Sequence, residues 1–398
     1  MNPLVPQLTT LVESPGGIML LYQAGVTLVL AALFLNLLWN LRYFIRPRPQ
    51  TPPHNAPMIS VCIPARNEAL RIGNLLRSLS RQDYPNFEVV ILNDHSEDDT
   101  EKVIESYRGD LPRLKVIRGQ SLPAGWVGKC WACHQAGRQA EGEYLLFTDA
   151  DTVHAPTSLS SAYHAALEHR SGMLSLWPRQ IAETWSEKLI IPFIYLLLLV
   201  FLPHGLANRV RNGSMGAANG QFVFFHRRDY DRLGGHESVR HHLVEDVALA
   251  RATIRAGLRM VNLDGCRQVE CRMYHRFADL WEGFTKNLRA AFEDNVAGFV
   301  FFGVVQLTVF VMPFGFLLLC LLPGNGGVPG LLSLYLVLAQ IVMIALIRLV
   351  FALRFHQSVA WAVLHPVGQI LALVIALNSW YHTSFRGAVT WKGRRYET

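Results

Sequence analysis

Three long stretches of this chain contain no charged residue, one near the beginning and two in the last third. Residues 18–41, 295–347 and 357–385 lack Asp, Glu, Lys and Arg. A helix needs about 20 apolar residues to cross the hydrocarbon core of a bilayer. The pattern therefore predicts one membrane span before the polar part of the chain and about three after it.

Between these stretches, short apolar runs alternate with helical patterns. The predicted strands are 59–64, 87–93, 114–117 and 144–148. Residues 69–81 carry Leu70, Leu75, Leu76 and Leu79 at the spacing of one helix face. This β-α-β-α-β order predicts an α/β domain with a mostly parallel sheet.

A further uncharged run, residues 189–208, is interrupted by Pro192 and Pro203. It cannot simply cross the membrane, because a crossing would place Asp149 and Asp246 on opposite sides. A segment in the membrane interface or lining a lipid-facing groove fits the pattern. A buried core helix is an equal alternative.

Charge places the polar domain between the membrane segments. Of the 30 acidic residues, 28 lie between positions 68 and 294. The predicted domains are an N-terminal anchor (1–46), a proline-rich linker (47–57), a polar domain (58–294) that includes the segment 189–208, C-terminal membrane segments (295–385) and a basic tail (386–398).

Basic residues predict the orientation in the membrane. Arg42, Arg46 and Arg48 follow the first apolar stretch, and the positive-inside rule then places the polar domain in the cytoplasm, as for a multi-pass protein of a bacterial plasma membrane. The basic tail 386–398 also favours the cytoplasm, whereas three C-terminal spans would place it outside. One apolar segment is therefore interfacial or re-entrant in this interpretation, and the number of crossings stays open.

The net charge of +7 does not predict nucleic-acid binding, because the basic residues are scattered or flank membrane segments. Attraction to anionic lipid headgroups explains it better. Cys130 and Cys133 form a lone C-x-x-C, and Cys266 and Cys271 have no second pair at zinc spacing. We expect reduced thiols and no zinc site. Nothing in the pattern indicates the oligomeric state.

Carboxylates mark the candidate chemistry. Asp149 and Asp151 follow the predicted strand 144–148, and Glu245 and Asp246 open a helical pattern later in the chain. Open α/β sheets bind their ligands at the carboxyl ends of strands. An Asp-x-Asp pair there suits Mg²⁺ or Mn²⁺, which take oxygen ligands and are often completed by substrate phosphates. This indicates nucleotide-sugar chemistry.

The ordered set of motifs from about residue 59 to 289 resembles the family-2 glycosyltransferases, inverting enzymes of the GT-A fold. The set comprises Ile63-Pro64-Ala65-Arg66-Asn67-Glu68, Asp94 in an Asp-rich segment, Gly125-Trp126-Val127-Gly128-Lys129, Asp149-Ala150-Asp151, a small-residue turn at 216–222 and Glu245-Asp246. The chain is similar to the membrane-anchored branch that glycosylates lipids, including ceramide glucosyltransferases and bacterial enzymes associated with hopanoids and carotenoids. The resemblance implies a GT-A-like mixed sheet flanked by helices.

On the donor side, the resemblance implies that Pro64 and Glu68 border the nucleotide base and ribose. It implies that Asp94 accepts a hydrogen bond from the ring N–H of uracil. Capping of the next helix is the alternative for Asp94.

The resemblance also assigns the groups that hold the diphosphate. Lys129 supplies a point charge for a phosphate, although it could be an ordinary lysine of a surface loop. Asp151 is the more direct ligand of Mg²⁺ or Mn²⁺, and Asp149 lies on the ribose or diphosphate side. A helix cap is the structural alternative for both.

On the acceptor side, the resemblance implies that Asn219, Gly220 and Gln221 border the sugar and the acceptor, unless they form only a tight turn. Asp246 matches the catalytic base that takes the proton of the acceptor hydroxyl. Glu245 borders the same site, or complements only the helix dipole.

The resemblance weakens after residue 272. Related enzymes carry a Gln/Arg-x-x-Arg-Trp segment that holds the diphosphate, and residues 281–289 of this chain contain no Arg-Trp pair. Lys286 or Arg289 could replace it from an interfacial helix, and an equal alternative is that both are membrane-surface basic residues.

The combined prediction is a membrane-bound glycosyltransferase. It would transfer a sugar, with inversion and with metal assistance, from a nucleotide-diphosphate sugar, UDP-linked, to the hydroxyl or carboxyl group of a membrane lipid. A processive polysaccharide synthase is the first alternative, but the missing Arg-Trp segment and the few spans argue against it. A non-catalytic nucleotide- or lipid-binding membrane protein is the second alternative. In such a protein the carboxylates of these motifs would have no catalytic role.

Overall fold

The computed structural model describes residues 15–293, 295–321, 331–385, 388–391 and 394–397. Several predicted parts lie partly outside this range: residues 1–14 of the anchor, residue 294 of the polar domain, residues 322–330 of the C-terminal membrane segments, and residues 386–387, 392–393 and 398 of the basic tail. The packing of the chain divides it into two compact units. The sheet unit comprises Asn40–Ala182 and Leu202–His275. The helical unit comprises the described parts of Met1–Trp39, Glu183–Phe201 and Arg276–Thr398.

The strands and helices follow in chain order. The strands are β1 (Ile59–Ala65), β2 (Phe87–Asn93), β3 (Leu114–Arg118), β4 (Tyr144–Phe147), β5 (Thr152–His154), β6 (Met173–Trp177), β7 (Arg179–Gln180), β8 (Val223–His226), β9 (Met260–Asp264), β10 (Val269–Cys271), β11 (Ala388–Trp391) and β12 (Arg394–Glu397). The α-helices are α1 (Pro15–Asn40), α2 (Ile72–Leu79), α3 (Thr100–Glu105), α4 (Gly128–Gln139), α5 (Ser158–Glu168), α6 (Trp185–Ile190), α7 (Pro192–Leu196), α8 (His204–Ala207), α9 (Arg227–Arg232), α10 (Glu245–Arg255), α11 (Phe277–Ala290), α12 (Val296–Val305), α13 (Met312–Leu321), α14 (Leu331–Arg354) and α15 (His365–Phe385). Leu197–Phe201 and Gln306–Val311 are π-helical, and Gly235–Glu237 and Ala360–Leu364 are 3-10 turns.

The sheet unit contains a seven-stranded mixed sheet in the order β3-β2-β1-β4-β8-β6-β9. The strands β3, β2, β1 and β4 are parallel, β8 is antiparallel to both of its neighbours, and β6 pairs in parallel with β9. A smaller sheet has the order β5-β10-β7. The predicted mixed α/β sheet flanked by helices is confirmed, and all four predicted strands form.

The main sheet is buried on both faces, as is usual for parallel strands covered by helices. Side chains of β1 alternate between two cores: Val61 and Ile63 lie in one, and Cys62 lies in the other. Because both faces are covered, a ligand can approach these strands at their ends. The candidate site lies at those ends.

The predicted helix 69–81 is shorter than expected and begins at Ile72. The prediction was wrong for Leu70, which is 94% exposed. The preceding residue, Ala69, donates its N–H to Asp98 at 3.1 Å, so this segment forms a turn tied to the loop after β2. Leu70 matched the helical spacing by position only.

The helical unit carries the predicted membrane segments. Four helices of the described chain are long and apolar enough to cross a membrane, namely Gly16–Asn40, Val296–Cys320, Leu331–Arg354 and Ala360–Phe385, with mean hydropathy between 1.9 and 2.6. One lies near the N-terminus and three lie towards the C-terminus. This arrangement confirms the sequence-based prediction.

The uncharged run 189–208 is divided between the units. Its first part belongs to the helical unit and forms the end of α6, α7 and a π-helical turn, while residues from Leu202 onward belong to the sheet unit. Ile190, Tyr195 and Leu199 are fully buried. The burial agrees with the buried-helix alternative, and a position in the membrane interface stays a prediction, as do the domain boundaries.

Candidate active site

Two loops at the carboxyl ends of β1 and β2 are joined by side-chain hydrogen bonds. The N–H of Asn67 donates to the Ser96 hydroxyl at 3.0 Å, and the N–H of Glu97 donates to the Asn67 side chain at 2.8 Å. Asn67 and His95 both have φ of 53°. A non-glycine residue rarely adopts this left-handed conformation, and Asn and His are among the residues that tolerate it best. The two loops therefore form one fixed rim.

The predicted nucleotide-binding residues lie in this rim. Asp94 is buried, its N–H donates to the Ala65 carbonyl at 2.8 Å, and its own carbonyl accepts from Arg66 at 3.2 Å. Glu68 is also buried and accepts from Arg71 at 3.2 Å. Asp94 and Glu68 thus lie on neighbouring loops, and their contact with a nucleotide stays a prediction.

Lys129 joins two carboxylates from distant parts of the chain. Its Nζ lies 2.7 Å from Oδ1 of Asp149 and 2.8 Å from Oε1 of Glu245. Lys129 is the second residue of α4, Asp149 follows β4 by two residues, and Glu245 begins α10. The sheet order brings these three element ends to one place. Three residues that the sequence assigned separately therefore form one ion cluster.

The charges in this cluster support one another. Burial alone would lower the pKa of Lys129, but the carboxylates of Asp149 and Glu245 raise it well above its ordinary value. Lys129 therefore remains a cation, and it compensates part of the negative charge that the cleft would otherwise concentrate. A fixed ammonium in a cleft attracts anionic ligands such as phosphates.

Asp246 lies beside this cluster and faces Gly220. Its Oδ2 accepts the N–H of Gly220 at 2.7 Å, and its Oδ1 accepts the N–H of Val247 at 2.8 Å. Burial, and then the neighbouring charge of Glu245, raise the pKa of Asp246 to about 6, although Lys129 and the two backbone N–H groups act in the opposite direction. A carboxylate with this pKa is ionised at neutral pH and is a stronger base than an exposed one.

Several of the predicted site residues line one cleft. It is lined, among others, by Pro64, Lys129, Asp149, Gly220, Glu245 and Asp246. These residues come from the carboxyl ends of β1 and β4, from the start of α4, from the turn before β8 and from the start of α10. The cleft thus contains candidates for a base, for a phosphate contact and for a metal ligand.

Asp151 has different neighbours from Asp149. It hydrogen-bonds the Cys271 thiol, whose pKa is raised well above its ordinary value first by burial and then by the charges of Asp151 and Asp149. Its charge also acts on Tyr274, whose pKa is raised mainly by burial. The Asp-x-Asp turn therefore presents one carboxylate to the lysine cluster and the other to the β10 side.

The two aspartates fit a metal that shares its coordination with a substrate. Among the described residues, no three His, Cys, Asp or Glu side chains gather closely enough to hold a cation by themselves. Mg²⁺ is commonly held by one or two carboxylates together with substrate phosphates and water. Asp149 and Asp151 are oxygen donors of this kind, and because one contacts Lys129 and the other Cys271, a metal held by both together with a diphosphate stays a prediction.

Asn219 and Gln221 shape the turn that carries Gly220. The Asn219 side chain accepts the N–H of Gln221 at 2.9 Å, and the N–H of Asn219 donates to Ser175 at 2.9 Å. The buried Gln221 amide contacts Gln180 at 2.6 Å and also donates to the Cys271 sulfur. Of the four residues predicted on the acceptor side, Gly220 and Glu245 line the cleft, and a direct contact of Asn219 or Gln221 with a substrate stays a prediction.

Lys286 and Arg289 lie on α11 of the helical unit. The Arg289 guanidinium donates to the carbonyl of Glu293 and lies 6.0 Å from the ring centre of Phe299. The backbone N–H of Arg289 donates to the Ser379 hydroxyl at 3.0 Å. Lys286 is half-buried near Glu282. These contacts give Arg289 a structural role within its own unit, and a diphosphate contact by either residue stays a prediction.

The sequence-based reasoning missed His236, which also lines the cleft. The ring of His236 is buried, and its Nδ1 lies 2.8 Å from the hydroxyl of Tyr230. Burial lowers the pKa of His236 to about 3, so the ring is neutral. Gly234 and Gly235, with φ of 74° and 52°, form the turn that delivers it. In the sequence, the pair Gly234-Gly235 could have indicated a tight turn directly before His236.

Comparison with known proteins identifies the family of this chain. A family model described as Glycosyl transferase family 2 matches residues 60–234. The 4,4'-diaponeurosporenoate glycosyltransferase of Staphylococcus aureus (strain USA300) is 30% identical over 376 residues, which cover 90% of this chain and 93% of the relative. A mannosyltransferase of Pyrobaculum calidifontis, solved in complex with GDP-Man and Mn²⁺, has a similar fold: the TM-score is 0.52 and the identity 18%, and the match covers 92% of this chain and 99% of that one.

Proposed function

This chain belongs to glycosyl transferase family 2, and we propose that it transfers a sugar from a UDP-linked donor to the hydroxyl or carboxyl group of a membrane lipid. Glycosyl transfer is the activity of the family, and four apolar helices associate the chain with a membrane.

One observation carries the proposal: the cleft places a carboxylate of raised pKa next to a lysine bound by two further carboxylates. Asp246 accepts the Gly220 N–H, and the neighbouring Glu245 contacts Lys129, which also binds Asp149. A transfer with inversion to a hydroxyl group needs a base on one side of the anomeric carbon and charge stabilisation of a leaving diphosphate on the other. The cleft contains both kinds of group within one set of contacts.

On the donor side, Asp94, Glu68 and Pro64 would hold the nucleoside in the rim formed by the loops after β1 and β2. Lys129 would donate to a phosphate oxygen, since its ammonium group already lies beside Asp149. Binding of a diphosphate would give Lys129 an anionic partner other than its two carboxylates.

Asp149 and Asp151 would hold Mg²⁺ or Mn²⁺. The Pyrobaculum mannosyltransferase was solved with Mn²⁺ and GDP-Man, which supports a metal and a nucleotide sugar for a protein of this fold. The metal would neutralise the charge that develops on the leaving diphosphate.

On the acceptor side, Asp246 would take the proton as the acceptor oxygen attacks the anomeric carbon. A positioned base of this kind typically contributes ~10²- to 10⁴-fold to the rate. Attack from the face opposite the diphosphate inverts the configuration. Where the acceptor is a carboxylate, no proton has to be removed, and Asp246 would then act through its position and charge.

The lipid acceptor is supported by the relative in Staphylococcus aureus, whose name gives diaponeurosporenoate, a carotenoid carboxylate, as its acceptor. The apolar helices would place the enzyme in the membrane where such an acceptor resides. The arginines after α1 favour a cytoplasmic position of the sheet unit, where nucleotide sugars are available.

Membranes that contain the wild type or Asp246→Asn would be supplied with radiolabelled UDP-sugars, Mn²⁺ and a bacterial lipid extract. We expect label in the organic phase with the wild type, loss of that label with a chelator, and a decrease of at least ~10²-fold in Asp246→Asn for a hydroxyl acceptor. Counting the organic and aqueous phases separately measures this result.

Asp110→Asn is the matched control, because Asp110 is an exposed aspartate of the same unit and should retain full activity. Label in a water-soluble polymer, with none in the organic phase, would support a processive synthase instead. Equal activity of the wild type and Asp246→Asn with every acceptor would refute the role of Asp246.

A further inference from the structure

Helix α15 has the length of a membrane-crossing helix, but it packs along a helix that carries charges. Its 21 residues span about 31 Å, close to the thickness of about 30 Å of a bilayer core. Among the described helices, α11 and α15 have the most extensive mutual contact. Charged side chains occur along the whole of α11, at Asp279, Glu282, Lys286 and Arg289. A charge is costly in hydrocarbon, so α11 lies in the membrane interface or outside the membrane.

The second half of α15 is hydrogen-bonded to α11. Nδ2 of Asn378 donates to the hydroxyl of Thr285 at 2.9 Å, and the hydroxyl of Ser379 accepts the backbone N–H of Arg289 at 3.0 Å. The side chain of Ser379 is fully buried. These bonds hold this half of α15 beside a charged helix.

The first half of α15 lies against α6, which also carries charges, namely Glu187 and Lys188. A Cβ atom added at Gly368 would lie 2.8 Å from the carbonyl oxygen of Leu189, so the two backbones approach closely. In the 3-10 turn before α15, the ring centre of Trp361 lies 5.7 Å from Nζ of Lys188. Tryptophan and lysine side chains are common anchors at the membrane interface.

The two supporting helices contact each other. The rings of Trp185 and Phe277, the first residues of α6 and α11, stack with their centres 5.3 Å apart. Both halves of α15 therefore pack on one pair of adjoining charged helices. A helix that crossed the bilayer would contact such a pair at one end and reach the opposite surface with the other end.

Other contacts show at which ends of the crossing helices this pair lies. Nδ2 of Asn36, near the end of α1, donates to the carbonyl of Val200 at 2.9 Å. Tyr195 stacks on Phe355, the residue after α14, with ring centres 3.9 Å apart. The segment that continues from α6 thus lies at the carboxyl ends of α1 and α14. The basic residues that end α14 or follow α1 in the sequence are Arg354, Arg42, Arg46 and Arg48.

Helix α15 exposes one apolar stripe. Large apolar or aromatic residues, each at least 44% exposed, recur at the spacing of one helix face: Val367, Ile370, Val374, Leu377 and Tyr381. The other face is buried and includes polar or small side chains: His365, Gly368, Gln369, Ala372 and Ser379. A helix whose polar face is covered by protein and whose apolar face is open suits contact with acyl chains just below the headgroups.

We infer that α15 does not cross the membrane. Together with α6 and α11 it forms an interfacial layer at the carboxyl ends of α1 and α14, and its apolar stripe contacts the acyl chains of that leaflet. The chain then crosses three times, through Gly16–Asn40, Val296–Cys320 and Leu331–Arg354. The tail that follows α15 shares the side of the arginines after α1, in agreement with the positive-inside rule. This inference does not depend on the proposed glycosyl transfer.

Two exposed serines flank α15, Ser358 before it and Ser384 near its end. Ser358→Cys and Ser384→Cys are produced separately in the full-length protein, and spheroplasts are treated with a membrane-impermeant maleimide before or after permeabilisation. We expect the two cysteines to behave alike, with labelling of both only after permeabilisation. Leu331→Cys, at the exposed start of α14, should be labelled in intact spheroplasts and serves as the control for the opposite surface. The wild type measures the background from its own cysteines.

A second measurement does not rely on the reactivity of a cysteine at position 384. Green fluorescent protein, which fluoresces only in the cytoplasm, or alkaline phosphatase, which is active only outside it, is attached to the end of the complete chain. We expect fluorescence and no phosphatase activity.

The inference would be overturned if one flanking cysteine were labelled in intact spheroplasts and the other only after permeabilisation. Phosphatase activity of the C-terminal fusion, with Ser358→Cys protected in intact spheroplasts, would also overturn it. Because no sugar transfer is measured, failure of this inference is distinguishable from failure of the proposed function.

Discussion

The ammonium group of Lys129 influences a neighbour that it does not contact directly. Its ion pairs are with Asp149 and Glu245, yet its charge also lowers the pKa of Asp246, while burial and Glu245 raise it. The resulting pKa of about 6 leaves Asp246 ionised at pH 7. Lys129 thus links the proposed donor side and the proposed acceptor side of the cleft through electrostatics.

The activity with a hydroxyl acceptor should therefore depend on pH through Asp246. Only the ionised carboxylate can accept a proton, so kcat/KM should fall about tenfold per pH unit below about pH 6. Lys129→Met removes a cation that lowers this pKa, so the acidic limb should move to higher pH. The rate at pH 7 should also fall by at least about tenfold, because the cation near the phosphates is lost.

Profiles of kcat/KM against pH for the wild type, Lys129→Met and Lys129→Arg measure this effect. Lys129→Arg keeps the charge, so the pH at which its kcat/KM falls on the acidic side should remain near that of the wild type. If kcat/KM of Lys129→Met falls on the acidic side at the same pH as that of the wild type, Lys129 does not act on the pKa of Asp246.

At the scale of elements, the antiparallel strand β8 completes the cleft. The parallel strands β1, β2 and β4 reach the site with their carboxyl ends, whereas β8 runs in the opposite direction and reaches it with its amino end. The turn before β8 therefore lies against α10 and α4. A Cβ atom added at Gly220 would lie 3.2 Å from Oδ2 of Asp246, Oε1 of Glu245 and Nζ of Lys129.

Gly220→Ala should consequently disturb three charged groups at once. A displacement of a few tenths of an ångström is enough to misalign reacting groups, and we expect kcat/KM to fall at least about tenfold. The fold should persist, because the atoms in contact are the ends of side chains at a cleft. Steady-state kinetics and the thermal unfolding midpoint measure the two effects.

Gly109→Ala is the matched control, since an added Cβ at Gly109 meets no atom within 4 Å. It should leave both quantities unchanged. Retention of full activity by Gly220→Ala would indicate that the turn can move away from the charged cluster without consequence.

The sequence predicted elements well where one pattern determines them. The strands β1 to β4 form at the predicted positions, because buried strands require continuous apolar runs. Leu70 was misplaced, since contacts from Asp98 in a distant loop fix the turn that precedes α2. Such a contact depends on tertiary structure and leaves no periodic signal.

In the candidate site, too, some features follow from the sequence pattern and others depend on tertiary contacts. The strand end indicated Asp149 and the family resemblance indicated Asp246, and the structure brings both into one cleft. The sequence could not show that Lys129 joins Asp149 to Glu245, because that contact depends on strand order. Nor could it show that the Gln221 side chain contacts Gln180 and Cys271, since one turn residue can face either side.

At the scale of the whole molecule, the proposed orientation can be tested without an activity assay. The five cysteines of the sheet unit are buried, and Cys320 lies in an apolar helix. A new cysteine at the exposed position Asp110 would therefore be the accessible thiol of the sheet unit. If the unit is cytoplasmic, a membrane-impermeant maleimide should label Asp110→Cys only after the cells are lysed.

The wild type serves as the control for background labelling under the same conditions. Equal labelling of Asp110→Cys in intact and lysed cells would place the sheet unit outside and would contradict the orientation that the arginines after α1 indicate.

The division of the chain into units also has a consequence for protein production. The helical unit takes Glu183–Phe201 from the middle of the sequence that otherwise builds the sheet unit. Removing only the terminal helices would leave this segment without its partners, for example Tyr195 without Phe355. A water-soluble fragment is therefore not obtained by trimming the two ends, and it requires replacement of residues 183–201 by a short polar connection.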